Sequence, residues 1–168
     1  MNQKKCVEGY CMLISRIYNF ITHKLNNIKY AVRRIWLNFI GANIEKNVKI
    51  SDNVLILNPI NLSIGENSTV NHGVHINCRD KIIIGKEVRI STNVQIHSGR
   101  LIIDSYPRIH TKAPITIEDN VWIASGCIIS AGVKIGQNSV IGANSVILKD
   151  VEQNSFYAGN PAKKIKDI

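Results

Sequence analysis

From Ile117 onward an isoleucine stands at every sixth position: Ile117, Ile123, Ile129, Ile135, Ile141 and Ile147. Two residues before each following isoleucine stands a small residue: Val121, Cys127, Val133, Ser139 and Ser145. The same register appears upstream in fragments, as Ile44, Ile50 and Ile56, then Ile64, Val70 and Ile76, then Ile84, Ile90 and Ile96. A period of six matches neither the 3.6 of an α-helix nor the 2 of a simple strand. It predicts a coil of three short strands, each followed by a turn, with one aliphatic side chain per strand stacked along the axis. The small residues point inward too, because a narrow triangular interior holds one large side chain per face. Gly and Asn recur between the strands, as in Ile64-Gly65-Glu66-Asn67 and Ile135-Gly136-Gln137-Asn138, and these residues tolerate the positive φ of tight corners. A meander of antiparallel hairpins would need turns of varied length. The chain is therefore read as all-β, wound as a parallel β-helix of hexapeptide repeats.

Departures from the period mark special places. The steps Ile56 to Ile64 and Ile76 to Ile84 are eight, so two residues are added at each of those turns. After Ile96 the pattern fails, because Arg100 falls where a small inward residue is due and an unpaired charge in the core is costly. The register returns at Ile117. Residues 98–114, with Asp104, Pro107, Arg108, His110 and Pro114, are thus predicted to leave the coil as an excursion loop. Long ordered loops on rigid scaffolds commonly carry function.

The N-terminal stretch follows a different rule. Ile14, Ile17, Ile21, Leu25, Ile28, Val32, Ile35 and Phe39 are spaced by three and four, which predicts a helical segment over residues 12–39 with one apolar stripe. Asn26-Asn27 is a point where it divides into two helices. The stripe either caps the first coil and covers its open edge or lies on a lipid surface. The expected division is a basic helical arm over 1–40, a β-helix over 41–160 and a basic tail over 161–168.

Charge fits that division. The 168 residues carry a formal +9. Residues 1–40 hold seven Lys or Arg against Glu8 alone. Basic arms suit nucleic acid or a membrane surface, and the interleaved Ile, Leu, Tyr and Trp favour the membrane or a packing helix, so no nucleic-acid partner is expected. There is no run of 18 uncharged apolar residues and no signal-peptide pattern, which places the chain in the cytoplasm by default. Cys6, Cys11, Cys78 and Cys127 are scattered, which indicates neither a zinc site nor a disulfide framework.

With the fold read, particular segments become familiar. Residues 114–124, PITIEDNVWIA, together with residues 132–146, GVKIGQNSVIGANSV, and the ending Ala158-Gly159-Asn160-Pro161-Ala162-Lys163 resemble the hexapeptide-repeat acyltransferase family. The likeness spans about residues 41–166. It is strongest to the branch of maltose and galactoside acetyltransferases and of capsule, O-antigen and colanic acid O-acetyltransferases. The resemblance implies a left-handed β-helix, a homotrimer with active sites between neighbouring coils, acetyl-CoA as acyl donor, and a sugar or glycan hydroxyl as acceptor in polysaccharide biosynthesis. It also implies roles for single residues. Asn71 matches an acceptor contact, and His72 lies beside it on the same coil. Trp122 matches a Trp lining the site beside the pantetheine arm. Ser125 and Ala143 match residues whose backbone meets CoA, and Lys149, Lys163 and Lys166 stand where basic residues approach its phosphates.

Acetyl transfer to a hydroxyl needs a base, since a sugar hydroxyl is protonated at neutral pH, and His titrates in the right range. The family places that His about five residues after the axial Ile96, where this chain has Leu101. Two substitutes are at hand: His97, where the loop leaves the coil, and His110, within the loop. The alternatives are a trimeric scaffold without catalysis and a γ-carbonic-anhydrase-like zinc protein. The zinc reading needs a His-x4-His pair, which His72, His75 and His97 do not form, so no metal is expected.

Overall fold

The computed structural model describes residues 3–104 and 106–168, with side chains from Ser15 onward apart from Ile17, Asn19 and His23. It is an N-terminal helix followed by a left-handed parallel β-helix of about six coils. The strands stack into three parallel sheets, one per face. The first face stacks Asn43–Ile44, Leu62–Ile64, Ile82–Ile84, Ile115–Ile117 and Lys134–Ile135. The second stacks Lys49–Ile50, Thr69–Val70, Arg89–Ile90, Trp122–Ile123, Val140–Ile141 and Ser155–Gly159. The third stacks Leu55–Leu57, His75–Asn77, Gln95–His97, Ile128–Ile129 and Val146–Ile147.

The period-six residues are the core. Ile64, Ile76, Ile84, Ile90, Ile96, Ile117, Ile123, Ile129, Ile135 and Ile141 are almost wholly buried, as are Val121, Cys127, Val133, Ser139 and Ser145. Burying one such isoleucine contributes about 1.5–3 kcal/mol, and the stack repeats that gain on each face. At the corners, Asn47, Asn67, Asn120, Asn138 and Asn154 take φ of 53° to 60°, a conformation Asn accepts more readily than other side chains. Their amides form ladders: Asn47 donates to Asn67, Asn67 to Glu87, Asn120 to Asn138, and Asn138 to Asn154.

One expectation is corrected. The N-terminal segment is one helix, α1 (Gln3–Phe39), continuous through Asn26-Asn27, because Asn lowers helix propensity without the missing N–H and steric clash by which Pro breaks a helix. It ends where Gly41 takes φ 98° and the Ala42 amide reaches back to the Leu37 carbonyl at 3.0 Å. Residues 98–114 leave the coil as the failed period indicates, and within them Gly99–Leu101 and His110–Lys112 pair as an antiparallel hairpin. Arg100 sits exposed on it, out of the core. Within the basic tail, Ala162–Asp167 runs antiparallel to Ser155–Gly159 and closes the last coil.

The apolar stripe of α1 faces outward. Ile21, Leu25, Ile28, Val32, Ile35 and Phe39 are exposed, while Ile14 and Ile17 lie outside the described side chains. The helix docks instead through Leu37, which is buried, and through polar ties. Arg33 donates to the carbonyls of Ser51 and Val54, and Asn38 exchanges two hydrogen bonds with the backbone of Ile44, at 2.7 and 3.0 Å.

Candidate active site

On the third face the strands of the first three coils are three residues long, against two in the later coils. The third residue matters because side chains alternate across a strand: each inward isoleucine now has an outward neighbour on both sides. The register pairs His75 with Gln95 and Asn77 with His97. His75 and His97 are therefore diagonal neighbours, with ring centroids 5.1 Å apart and ring planes at 87°. His97 Nε2 donates to Gln95 Oε1 at 3.1 Å, which leaves the lone pair on Nδ1. Burial pushes the His97 pKa below its ordinary value, and charge on His75 pushes the same way. At neutral pH the ring is thus held in its uncharged, proton-accepting form. The His75 Nε2 atom is buried with no hydrogen-bond partner.

His97 stands at the foot of the excursion. The next residue, Ser98, is buried, accepts from the Asp80 amide at 2.8 Å and bonds the carbonyls of Asn77 and Asp80 at 3.1 Å. Those bonds pin the point where the chain leaves the coil. Beyond it the side chain of Arg79 lies over Gly99, where an added Cβ would stand 2.5 Å from Arg79 Cδ. His110 is exposed and pairs across the hairpin with Leu101, so an imidazole stands opposite the position the resemblance pointed to. Burial pushes the Cys78 thiol, near the same corner, up to about 12, which keeps it protonated and poor as a nucleophile.

The other predicted residues gather elsewhere. Trp122 is half-exposed on the second face, and its indole N–H donates to Ser91 Oγ at 3.2 Å. Along the adjoining edge, Thr92 donates to Ser125 Oγ at 3.0 Å, the Asn144 amide beside exposed Ala143 donates to the Ser125 carbonyl, and Asn71 is exposed on the lower coil. His72 is exposed there too, its Nδ1 donating to the Asp52 carbonyl at 3.1 Å. Lys149 and Lys163 line one depression of about 350 Å³ with Tyr157 and Pro161. Lys166 pairs with Phe156 and does not line it. The structure thus brings Asn71, His72, Trp122, Ser125 and Ala143 to one side and sets His97 on another face. Among the described residues, no cluster of three His, Cys, Asp or Glu is poised to hold a metal.

Sequence reasoning missed the His75–His97 pair. The signal was there: the eight-residue steps lengthen a coil to twenty, and twenty plus the two-residue side-chain repeat carries His75 to His97.

A β-helix with this corner chemistry and a Trp beside small polar residues defines a class, and comparison with known proteins agrees. The family described as "Bacterial transferase hexapeptide (six repeats)" matches residues 114–149. The Escherichia coli protein WcaF, provisionally designated a colanic acid biosynthesis acetyltransferase, is 31% identical over 83% of this chain and 77% of its own length. The galactoside O-acetyltransferase of Escherichia coli is 34% identical over 71% of this chain and 63% of that one. A hexapeptide-repeat acetyltransferase of Vibrio cholerae, crystallised with acetyl coenzyme A, superposes with a TM-score of 0.76 at 29% identity over 82% of this chain and 76% of that one. The chain belongs to the hexapeptide-repeat acyltransferase family. It spans less than two thirds of the length of the first curated relatives it matches.

Proposed function

We propose that this protein is an acetyl-CoA-dependent O-acetyltransferase that acts on a hydroxyl of a sugar or glycan in polysaccharide biosynthesis. The observation that carries it is His97: half-buried, oriented by Gln95 and held uncharged by burial and by His75. In this reading His97 takes the acceptor hydroxyl proton at Nδ1 as the oxygen attacks the thioester carbonyl. It then returns that proton to the departing sulfur, giving the ester and the free thiol. Trp122 flanks the pantetheine arm, Ser125 and Ala143 meet CoA through their backbone, and Asn71 and His72 meet the acceptor. Lys149 and Lys163 supply point charges for the CoA phosphates, with Lys166 further out.

His97, on the third-face strand of the third coil, and Trp122, on the second-face strand of the fourth, project from different faces, so a cleft that uses both needs a second copy of the chain. A homotrimer supplies three such clefts. The related galactoside and V. cholerae proteins support the acetyl-CoA and sugar assignments by their names. No described helix is long and apolar enough to cross a membrane. The outward stripe of α1, with Lys24 and Lys29 beside it, supports peripheral contact of a cytoplasmic protein with the inner membrane face. The pairing of His110 with Leu101 favours a second reading, in which His110 is the base.

The test is release of CoA thiol from acetyl-CoA in the presence of a panel of sugars, together with a molecular mass in solution. A non-catalytic scaffold would bind no acetyl-CoA and release no thiol, and a monomer would refute the shared cleft.

A further inference from the structure

The acyl-transfer reading leaves a cleft of about 580 Å³ between α1 and the second face unused. One side of α1 contributes Tyr30 and Arg34, and the coil contributes Lys49, Thr69 and Arg89. Three cations line this space and no carboxylate does. Nearby cations elsewhere are satisfied: Arg33 by the Ser51 and Val54 carbonyls, Lys46 by Glu66 at 3.1 Å and Lys29 by Asp52 at 3.7 Å. Among the described residues Arg34, Lys49 and Arg89 have no ion pair. Like charges gathered on the walls of one cleft raise its potential and attract an anion.

The position says which anion. Lys49, Thr69, Arg89 and Trp122 form one register column on the second face, each about 4.8 Å from the next. The column therefore runs from the cleft to the Trp that flanks the reacting arm. Arginine forks, an ammonium, and the Thr and Tyr hydroxyls are a donor set suited to phosphate oxygens.

We infer that the cleft holds the diphosphate of the acceptor, so that the sugar to be acetylated arrives as a diphosphate-activated glycosyl group with its ring above Arg89. This rests on the acyl-transfer reading. The diphosphate could belong to a nucleotide sugar or to a polyprenyl-linked glycan, and both present the same chemistry to the cleft.

The test is titration calorimetry of the full chain with inorganic pyrophosphate and, separately, with acetyl-CoA. Arg34→Gln and Arg89→Gln each weaken pyrophosphate binding about tenfold or more, the size of one charge-assisted contact. Neither changes acetyl-CoA binding, and Arg89→Lys keeps part of the loss restored. Lys46→Gln, which alters a paired lysine outside the cleft, changes neither. Pyrophosphate binding that ignores both arginines, or acetyl-CoA binding that falls with them, overturns the inference while the transferase reading stands. Absence of acetyl-CoA binding in the unaltered chain, with pyrophosphate binding still dependent on Arg34 and Arg89, instead sinks the transferase reading and leaves the anion site. Two further arms name the source. Saturable competition by a nucleoside diphosphate sugar supports the soluble form. Sedimentation with phosphatidylcholine vesicles only when they carry a polyprenyl pyrophosphate, lost in Arg34→Gln and Arg89→Gln, supports the lipid form. Equal sedimentation of all variants with plain phosphatidylglycerol vesicles, without pyrophosphate dependence, counts against the cleft.

Discussion

The fourth and fifth coils and the first three coils are built on one plan but to different tolerances. In the later pair, third-face strands are two residues long and partners such as Thr116 and Lys134, or Ile128 and Val146, stand eighteen apart, three hexads to a coil. In the early coils partners such as Ser63 and Ile83 stand twenty apart. The two added residues lie between the third and first faces, where Pro59–Asn61 forms a 3-10 turn on the first coil and the third-face strands grow to three residues. The core does not notice, since Ile76 and Ile96 are as buried as Ile129. The surface does, because the extra outward positions are those of Asn77 and His97. A strict hexad makes a good column and leaves little room for chemistry. Relaxing it by two residues places new side chains on the outside at no cost to the inside.

If that division of labour is right, damage in the two regions should have different signatures. The largest effect is expected at His97. His97→Ala should lower turnover by about 10² to 10⁴, the usual contribution of a positioned base, with the melting temperature unchanged, because the side chain is only half-buried. His110→Ala is the comparison; if it carries the larger loss, the base lies on the hairpin. In the regular region Ile129→Ala should do the reverse. Its side chain is fully buried, so denaturant unfolding should show a loss of about 2–5 kcal/mol, while the remaining folded molecules turn over normally.

The same contrast explains what could be read in the sequence. The period-six isoleucines carry the fold so openly because each position has one environment. The excursion was legible as a failure of that period at Arg100, but its hairpin was not, since Gly99–Leu101 and His110–Lys112 carry no strong strand pattern. The closing strand Ala162–Asp167 was hidden for a similar reason: three lysines mark a basic tail and no strand pattern, whereas the pairing with Ser155–Gly159 is made by the backbone, whatever the side chains. The stripe on α1 was visible and its direction was not, because docking is decided by Arg33, Asn38 and Leu37. Arg34, Lys49 and Arg89 come together only after a helix is laid across a column of strands, and no spacing announces that.

One feature is expected to be indifferent to region: the glycine corner between the second and third faces. Gly73 in the early coils has φ 70° and Gly126 in the later ones φ 74°. A Cβ at either would stand 2.1 or 2.2 Å from the Oδ1 of the asparagine on the next coil, Asn93 or Asn144. That amide can swing away, so the left-handed backbone sets the penalty, about 1–2 kcal/mol for an L side chain. Gly73→Ala and Gly126→Ala should therefore lose nearly equal stability in thermal melts. A marked inequality would mean that the two regions differ in their corners and not only in strand length.

The smallest effect concerns how the early coils tune the proposed base. His97 is displaced downward mainly by burial and secondarily by charge on His75. In the proposed mechanism turnover needs the uncharged ring, so activity should be full above the depressed pKa and fall as pH drops through it. His75→Asn removes the charge and leaves most of the burial. The acidic limb of the kcat/KM profile should then move to higher pH while staying below the ordinary histidine value. At mildly acid pH the variant should be slower than the unaltered protein, and at pH 8 the two should agree. A purely structural role for His75 would instead lower the rate by the same factor at every pH. An unmoved limb would mean that the titrating base is not in contact with His75, which would shift the catalytic role from the coil to His110 on the hairpin.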